Sequence, residues 1–124
     1  MVSLKELENY CNSYLKVQNF KDYCPNGLQV EGSSSVNKIV SGVSANLELI
    51  ERAIEEKADA IFVHHGFFWE NESKTITGAK RNKIALLIDH DISLFGFHLP
   101  LDAHPEVGNN VELGRRLGVK NMEP

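Results

Sequence analysis

A chain of 124 residues with 42% hydrophobic and 24% charged content has the size and composition of one soluble globular domain, long enough to bury a core and too short for two ordinary ones. The net charge of -4 is spread along the sequence, which leaves no basic stripe for a nucleic-acid backbone, and the apolar runs are far too short for a membrane span. The stretch MVSLKELENY carries charges every few positions where a secretory leader needs an apolar run, so a cytoplasmic protein is expected.

Residues 3 to 16 form the first predicted element, an amphipathic helix with Ser3 as N-cap and Glu6 as its capping-box partner. Its apolar face holds Leu4, Leu7, Cys11, Tyr14 and Leu15. Cys11 and Cys24 are the only cysteines; their spacing matches neither a zinc nor a redox motif, and both are expected as reduced structural thiols. CPNGLQVEG at 24–32 reads as a turn and a short extended piece, because Pro25 and the Asn26-Gly27 pair break any helix. KIVSGV at 38–43 is the next strand, and Asn46 caps a helix whose apolar positions Leu47, Ile50 and Ile54 recur at helical spacing. AIFV at 60–63 is a buried strand. A helix over roughly 79 to 90 carries Ile84, Leu87 and Ile88, and ISLFGF at 92–97 makes a further strand. Asn110 is placed as the cap of a last helix ending near Leu117-Gly118.

Strand, helix, strand, helix, strand implies an α/β fold: a sheet of parallel neighbouring strands joined by right-handed crossovers and flanked by helices. Ligands of such sheets bind beyond the carboxyl ends of the strands. His64 and His65 directly follow AIFV, while His98, Asp102 and His104 directly follow ISLFGF, so both polar clusters belong to that edge. Imidazole with carboxylate suits zinc, iron, manganese or nickel and excludes an all-oxygen calcium site. Adjacent residues of an extended segment point opposite ways, so His64 and His65 share one ion only if the chain turns sharply there. Two ions side by side would use both, with Asp102 able to reach each.

Other residues have plainer readings. His104, between Ala103 and Pro105, is expected to be structural or exposed. Phe67, Phe68 and Trp69 read as a lid on the sheet edge, and Asp89, Asp91, Glu51, Glu55 and Glu56 as solvated faces. No Walker A sequence, dinucleotide fingerprint or G-x-S-x-G turn is present.

CPNGLQVEG, ADAIFVHHGFFW and GFHLPLDAHPEVGNN together resemble the three signature stretches of the GTP cyclohydrolase 1 type 2 homologue family, also known as the "interacting factor three" family. The last stretch is the most specific: a histidine, an aspartate four residues later and a following Pro-x-x-Gly-Asn-Asn. The resemblance implies an α/β subunit of a ring-shaped homohexamer with pairs of divalent ions inside. His64, His65 and Asp102 match the family's metal ligands, and His98 matches a motif histidine. It further implies a metal-dependent, hydrolase-like activity on a nucleotide or a purine- or pterin-related compound. The alternative is a metal-binding regulatory or interaction module that turns nothing over.

Family members are about twice as long, and their remaining ligands, a histidine and a glutamate, lie in the carboxyl-terminal part. Two ions of coordination number four to six need more donors than this sequence offers. The expectation is therefore a single α/β metal-binding domain over 1–124 that is the amino-terminal portion of a longer chain.

Overall fold

The computed structural model describes residues 1–123. Helix α1 (Leu4–Tyr14) begins with the expected capping box: the Ser3 side chain accepts from the Glu6 amide and the Glu6 carboxylate accepts from the Ser3 amide. The two residues before it, β1 (Val2–Ser3), pair antiparallel with β3 (Ser35–Val36), an addition too short to show in any periodicity. Between them lie a 3-10 turn at Val17–Asn19 and strand β2 (Gly27–Val30), the extended piece of CPNGLQVEG.

The main sheet has four strands in the order β2-β6-β5-β4, where β4 is Ile39–Ser41, β5 is Ala60–Val63 and β6 is Ser93–Gly96. β4, β5 and β6 run parallel, as the alternation implies, and β2 joins β6 antiparallel at the edge. Helices α2 (Leu47–Glu55) and α3 (Gly78–Asp89) make the two crossovers. Right-handed connections between strands taken in spatial order put both on one face. Ile50 and Ala53 of α2, with Ile84 and Leu87 of α3, pack there on Ile61, Val63 and Leu94. The opposite face belongs to α1, where Leu4 and Leu15 meet Ala60, Phe95 and Phe97. The period of two along β5 and β6 thus divides one apolar run into two cores. Full burial of each large side chain contributes roughly 1.5–3 kcal/mol.

Cover on the α1 face is incomplete. A groove of about 450 Å³, lined among others by Tyr14, Val43, Phe62 and Leu101, runs between α1 and the β4 edge. Two further helices close the chain: α4 (Leu99–Ala103), a short element that sequence periodicity misses, and α5 (Asn109–Arg116). The expected cap of the last helix moves: Gly108 stands at the N-cap and Asn110 lies inside α5. Gly108 fits because a Cβ there would collide with the His104 carbonyl oxygen. Among the described residues no helix is long and apolar enough to cross a membrane.

Candidate metal centre

β5 and β6 end side by side, with Val63 opposite Gly96, so the residues that follow each strand meet at the carboxyl edge of the sheet. The extended alternation stops at Val63. The amides of His64 and His65 both donate to the carbonyl oxygen of Val43, at 2.9 and 2.8 Å, and one acceptor for two consecutive donors requires the chain to bend. The sharp turn that shared use of the pair demands is therefore present: the two imidazoles face each other with centroids 4.6 Å apart. One ligating atom each of His64, His65 and His98 lies within 4.8 Å of the others.

His64 is oriented from behind. Its Nδ1 lies 2.7 Å from the Phe97 carbonyl oxygen, an acceptor only, so Nδ1 carries a proton and Nε2 is the ring nitrogen turned forward. That Nε2 is 3.2 Å from Oδ1 of Asp102. A neutral imidazole would set two acceptors against each other there, an arrangement that either a proton or a metal cation between them relieves. Two donors each about 2.1 Å from one ion at angles of about 90–110° lie about 3.0–3.4 Å apart, so the pair has the spacing of two ligands on a common ion. Asp102 sits on α4 and is steadied by Asn109, whose side-chain amide donates to Oδ1 at 2.9 Å. Burial, and then the neighbouring His64 and His98, push the His65 pKa down despite the opposing charge of Asp102; a neutral ring is the form that ligates metal.

His98 is held by residues that sequence reasoning did not single out. Asp22 Oδ1 accepts from His98 Nδ1 at 2.8 Å, and Asp22 Oδ2 accepts from the Leu99 amide at 2.9 Å and from the Asn26 side chain at 3.0 Å. Asn26 Oδ1 in turn accepts from the His98 amide at 2.7 Å. Burial opposes ionisation of Asp22, but the hydrogen bonds from Asn26, His98, Leu99 and Tyr23 outweigh it and hold the carboxyl down at about 2. Nε2 of His98 is left facing the other histidines. Cys24 also adjoins Asp22 and His98; burial, then the charge of Asp22, push its thiol up to about 11, so it keeps its proton at neutral pH and is a poor ligand.

Gln29 ties this support to the sheet. The register of β2 against β6 slips between Leu28 and Val30, and such a bulge re-aims the extra residue. The Gln29 side chain accepts from the Phe67 amide at 2.8 Å and donates to the Pro25 carbonyl at 2.9 Å. It passes so close to Gly66 and Gly96 that a Cβ on either would collide with it. The only sequence signal for Asp22, Asn26 and Gln29 is their crowding around the Pro25-Asn26-Gly27 turn, which alone says nothing of a site so far along the chain.

The remaining candidates divide. His104 is structural: it is buried, its Nε2 donates to the Tyr14 carbonyl at 3.2 Å, and its Nδ1 accepts from the Glu106 and Val107 amides. Phe67 belongs to the core with Phe68 packed against it. Of the expected lid only Trp69 reaches the histidines, edge-on to His98 at 4.9 Å. Asp89, Asp91, Glu51, Glu55 and Glu56 are exposed, as expected. Cys11 and Cys24 are free thiols.

Similar sequences and the same fold recur in known proteins. The chain is 55% identical over 114 residues to the GTP cyclohydrolase 1 type 2 homolog of Vibrio cholerae, covering 92% of this chain and 45% of that protein. It is 52% identical over 117 residues to the homolog of the same name in Escherichia coli K12, covering 94% of this chain and 47% of that one. Among solved structures it superposes on protein ybgI, of unknown function, with a TM-score of 0.94 at 50% identity over 98% of this chain and 49% of that one. TTHA1606 from Thermus thermophilus gives a TM-score of 0.94 at 41% identity, covering 99% of this chain and 51% of its own. The chain thus spans about half the length of the curated relatives it matches. With the Duf34/NIF3 (NGG1p interacting factor 3) family model matching residues 2–124, the chain belongs to that family.

Proposed function

We propose that this chain carries part of a divalent-metal centre of a hydrolase-like protein acting on a nucleotide or a purine- or pterin-related compound. The observation that carries the reading is the approach of His64 Nε2 to Asp102 at 3.2 Å, beside a cluster in which His64, His65 and His98 each bring one ligating atom within 4.8 Å of the others. His64, His65 and Asp102 would hold the ions, and His98 offers a fourth donor. When bound, zinc, iron, manganese or nickel supplies Lewis acidity and makes water nucleophilic near neutral pH. The Phe97 carbonyl holds a His64 proton on Nδ1 and leaves Nε2 turned forward; Asp102 brings the negative charge; Asp22 holds the His98 proton on Nδ1. Trp69 shields one side of His98 from water.

Three nitrogen donors and one carboxylate balance one dication better than two, because a single negative charge against four positive ones leaves the ions to repel each other. The second ion, the turnover itself and a ring-shaped homohexamer are accordingly assigned to the longer protein, whose other half the family resemblance credits with a further histidine and glutamate. A cytoplasmic setting suits the reduced thiols.

Elemental analysis tests the ligands: His64→Ala and His65→Ala, each made in a chain of the relatives' length, lower the bound metal while the fold survives. Metal content unchanged in both variants would overturn the assignment. A nucleotide panel with several divalent metals then separates catalysis from regulation, since metal-dependent product formation supports the hydrolase and tight binding without turnover supports a binding module.

A further inference from the structure

Beside His65 a cavity of about 470 Å³ opens between the starts of α2 and α3. Its wall joins Ser44 and His65 to Thr75, Thr77, Lys80 and Lys83. Lys80 and Lys83 are three residues apart on α3 and so share a helix face. Glu72, the acidic residue in this wall, is already engaged: its carboxylate accepts from Lys80 Nζ at 2.8 Å and from the amides of Phe68 and Trp69 at 3.2 and 3.3 Å. Lys83 is different. Among the described residues no carboxylate lies within ion-pair reach of it, and its ammonium sits 5.9 Å from the Phe67 ring centroid. The cavity therefore carries an uncompensated positive charge with hydroxyl donors around it.

The two helix starts differ in the same sense. At α2 the Asn46 side chain accepts from the Leu49 amide at 2.9 Å and so occupies that end. At α3 Thr77 makes no side-chain cap hydrogen bond, so the first-turn amides keep free donors beside Lys80 and Lys83. Hydroxyls and an unpaired ammonium in one concavity, with the start of a helix at its rim, are groups that bind the oxygens of a phosphate.

We propose that this cavity binds the phosphate group of a small phosphate monoester, as an anchor that lays the rest of the ligand across His65 towards the metal centre. Ser44 marks the join: its hydroxyl lies 3.5 Å from His65 Nδ1 and lines the cavity. The volume exceeds that of a phosphate alone and admits the adjoining sugar or linker. The anchor stands on the cavity alone, whereas the direction of the ligand rests on the metal reading above.

The test uses a chain of the relatives' length, treated with chelator at physiological salt and titrated with inorganic phosphate, ribose 5-phosphate and ribose while its backbone amide resonances are followed. Both phosphates shift the amides of Ser44, Thr77 and the first turn of α3, and ribose shifts none. Lys83→Gln weakens ribose 5-phosphate by about tenfold or more, as expected for one charge-assisted contact, while Lys5→Gln on the far helix leaves it unchanged. His64→Ala keeps phosphate binding, so a failed metal centre and a failed anchor are told apart. Equal effects of Lys83→Gln and Lys5→Gln, binding that appears only when metal is added, or no shift at α3 would each overturn the anchor.

Discussion

Ile61, Leu94 and Phe95 lie fully buried in the middle of the sheet, surrounded by apolar side chains. His64 and His98, three residues past Ile61 and Phe95 and just beyond the ends of the same two strands, have their rings held instead by hydrogen bonds to the Phe97 carbonyl and to Asp22. The interior gains its stability from area removed from water, which any well-fitting apolar set could supply. The rim is fixed by partners brought from distant parts of the chain, each with one geometry. Damage to the first should unfold the protein, and damage to the second should disarm it.

The largest effect expected is at the interior. Phe95 packs against the Phe62 ring at a centroid distance of 4.7 Å, and Phe95→Ala should cost about 3–5 kcal/mol in urea unfolding. A loss below about 1 kcal/mol would remove the contrast by showing a loosely packed interior. Next comes Asp22, whose side chain is only 2% exposed and whose carboxyl is held at about 2 against an ordinary 3.8. A pKa depressed by folding adds stability that is complete above the unfolded value and vanishes as pH falls through the folded one. In metal-free protein about 2 kcal/mol should therefore disappear between about pH 5 and pH 2, and Asp22→Asn should flatten that part of the profile. Parallel profiles for the two proteins would disprove the role given to Asp22. The smallest effect is at His65, an exposed side chain: His65→Ala should change the stability of metal-free protein by less than about 1 kcal/mol. A large loss would make His65 a structural residue of the interior's kind.

The same contrast explains what could be read from the sequence. β5 lies at 60–63 because four apolar residues buried on both faces leave an unmistakable run, and α3 is displaced by only one residue from the expected 79–90. That His64, His65, His98 and Asp102 meet at one edge is legible because imidazoles following two strand ends are brought together there by topology. Asp22 and Gln29 are not, since their roles depend on a bulge in β2 and an antiparallel pairing between strands far apart in the chain. α4 escapes for another reason: five residues hold little more than one turn, too few to show a period. The Asn110 cap fails because side-chain chemistry favours Asn while the close approach of the His104 carbonyl admits only glycine at 108.

The shared acceptor at Val43 has a consequence for how the site opens. Because one carbonyl oxygen holds the amides of both His64 and His65, a fluctuation that lifts the segment around Val43 frees the two histidines together. Their amides should then exchange with solvent deuterium with a common opening free energy, lower than that of Ile61 or Leu94 in the same sheet. The imidazole pair is in that sense one hinged unit, engaged or released whole.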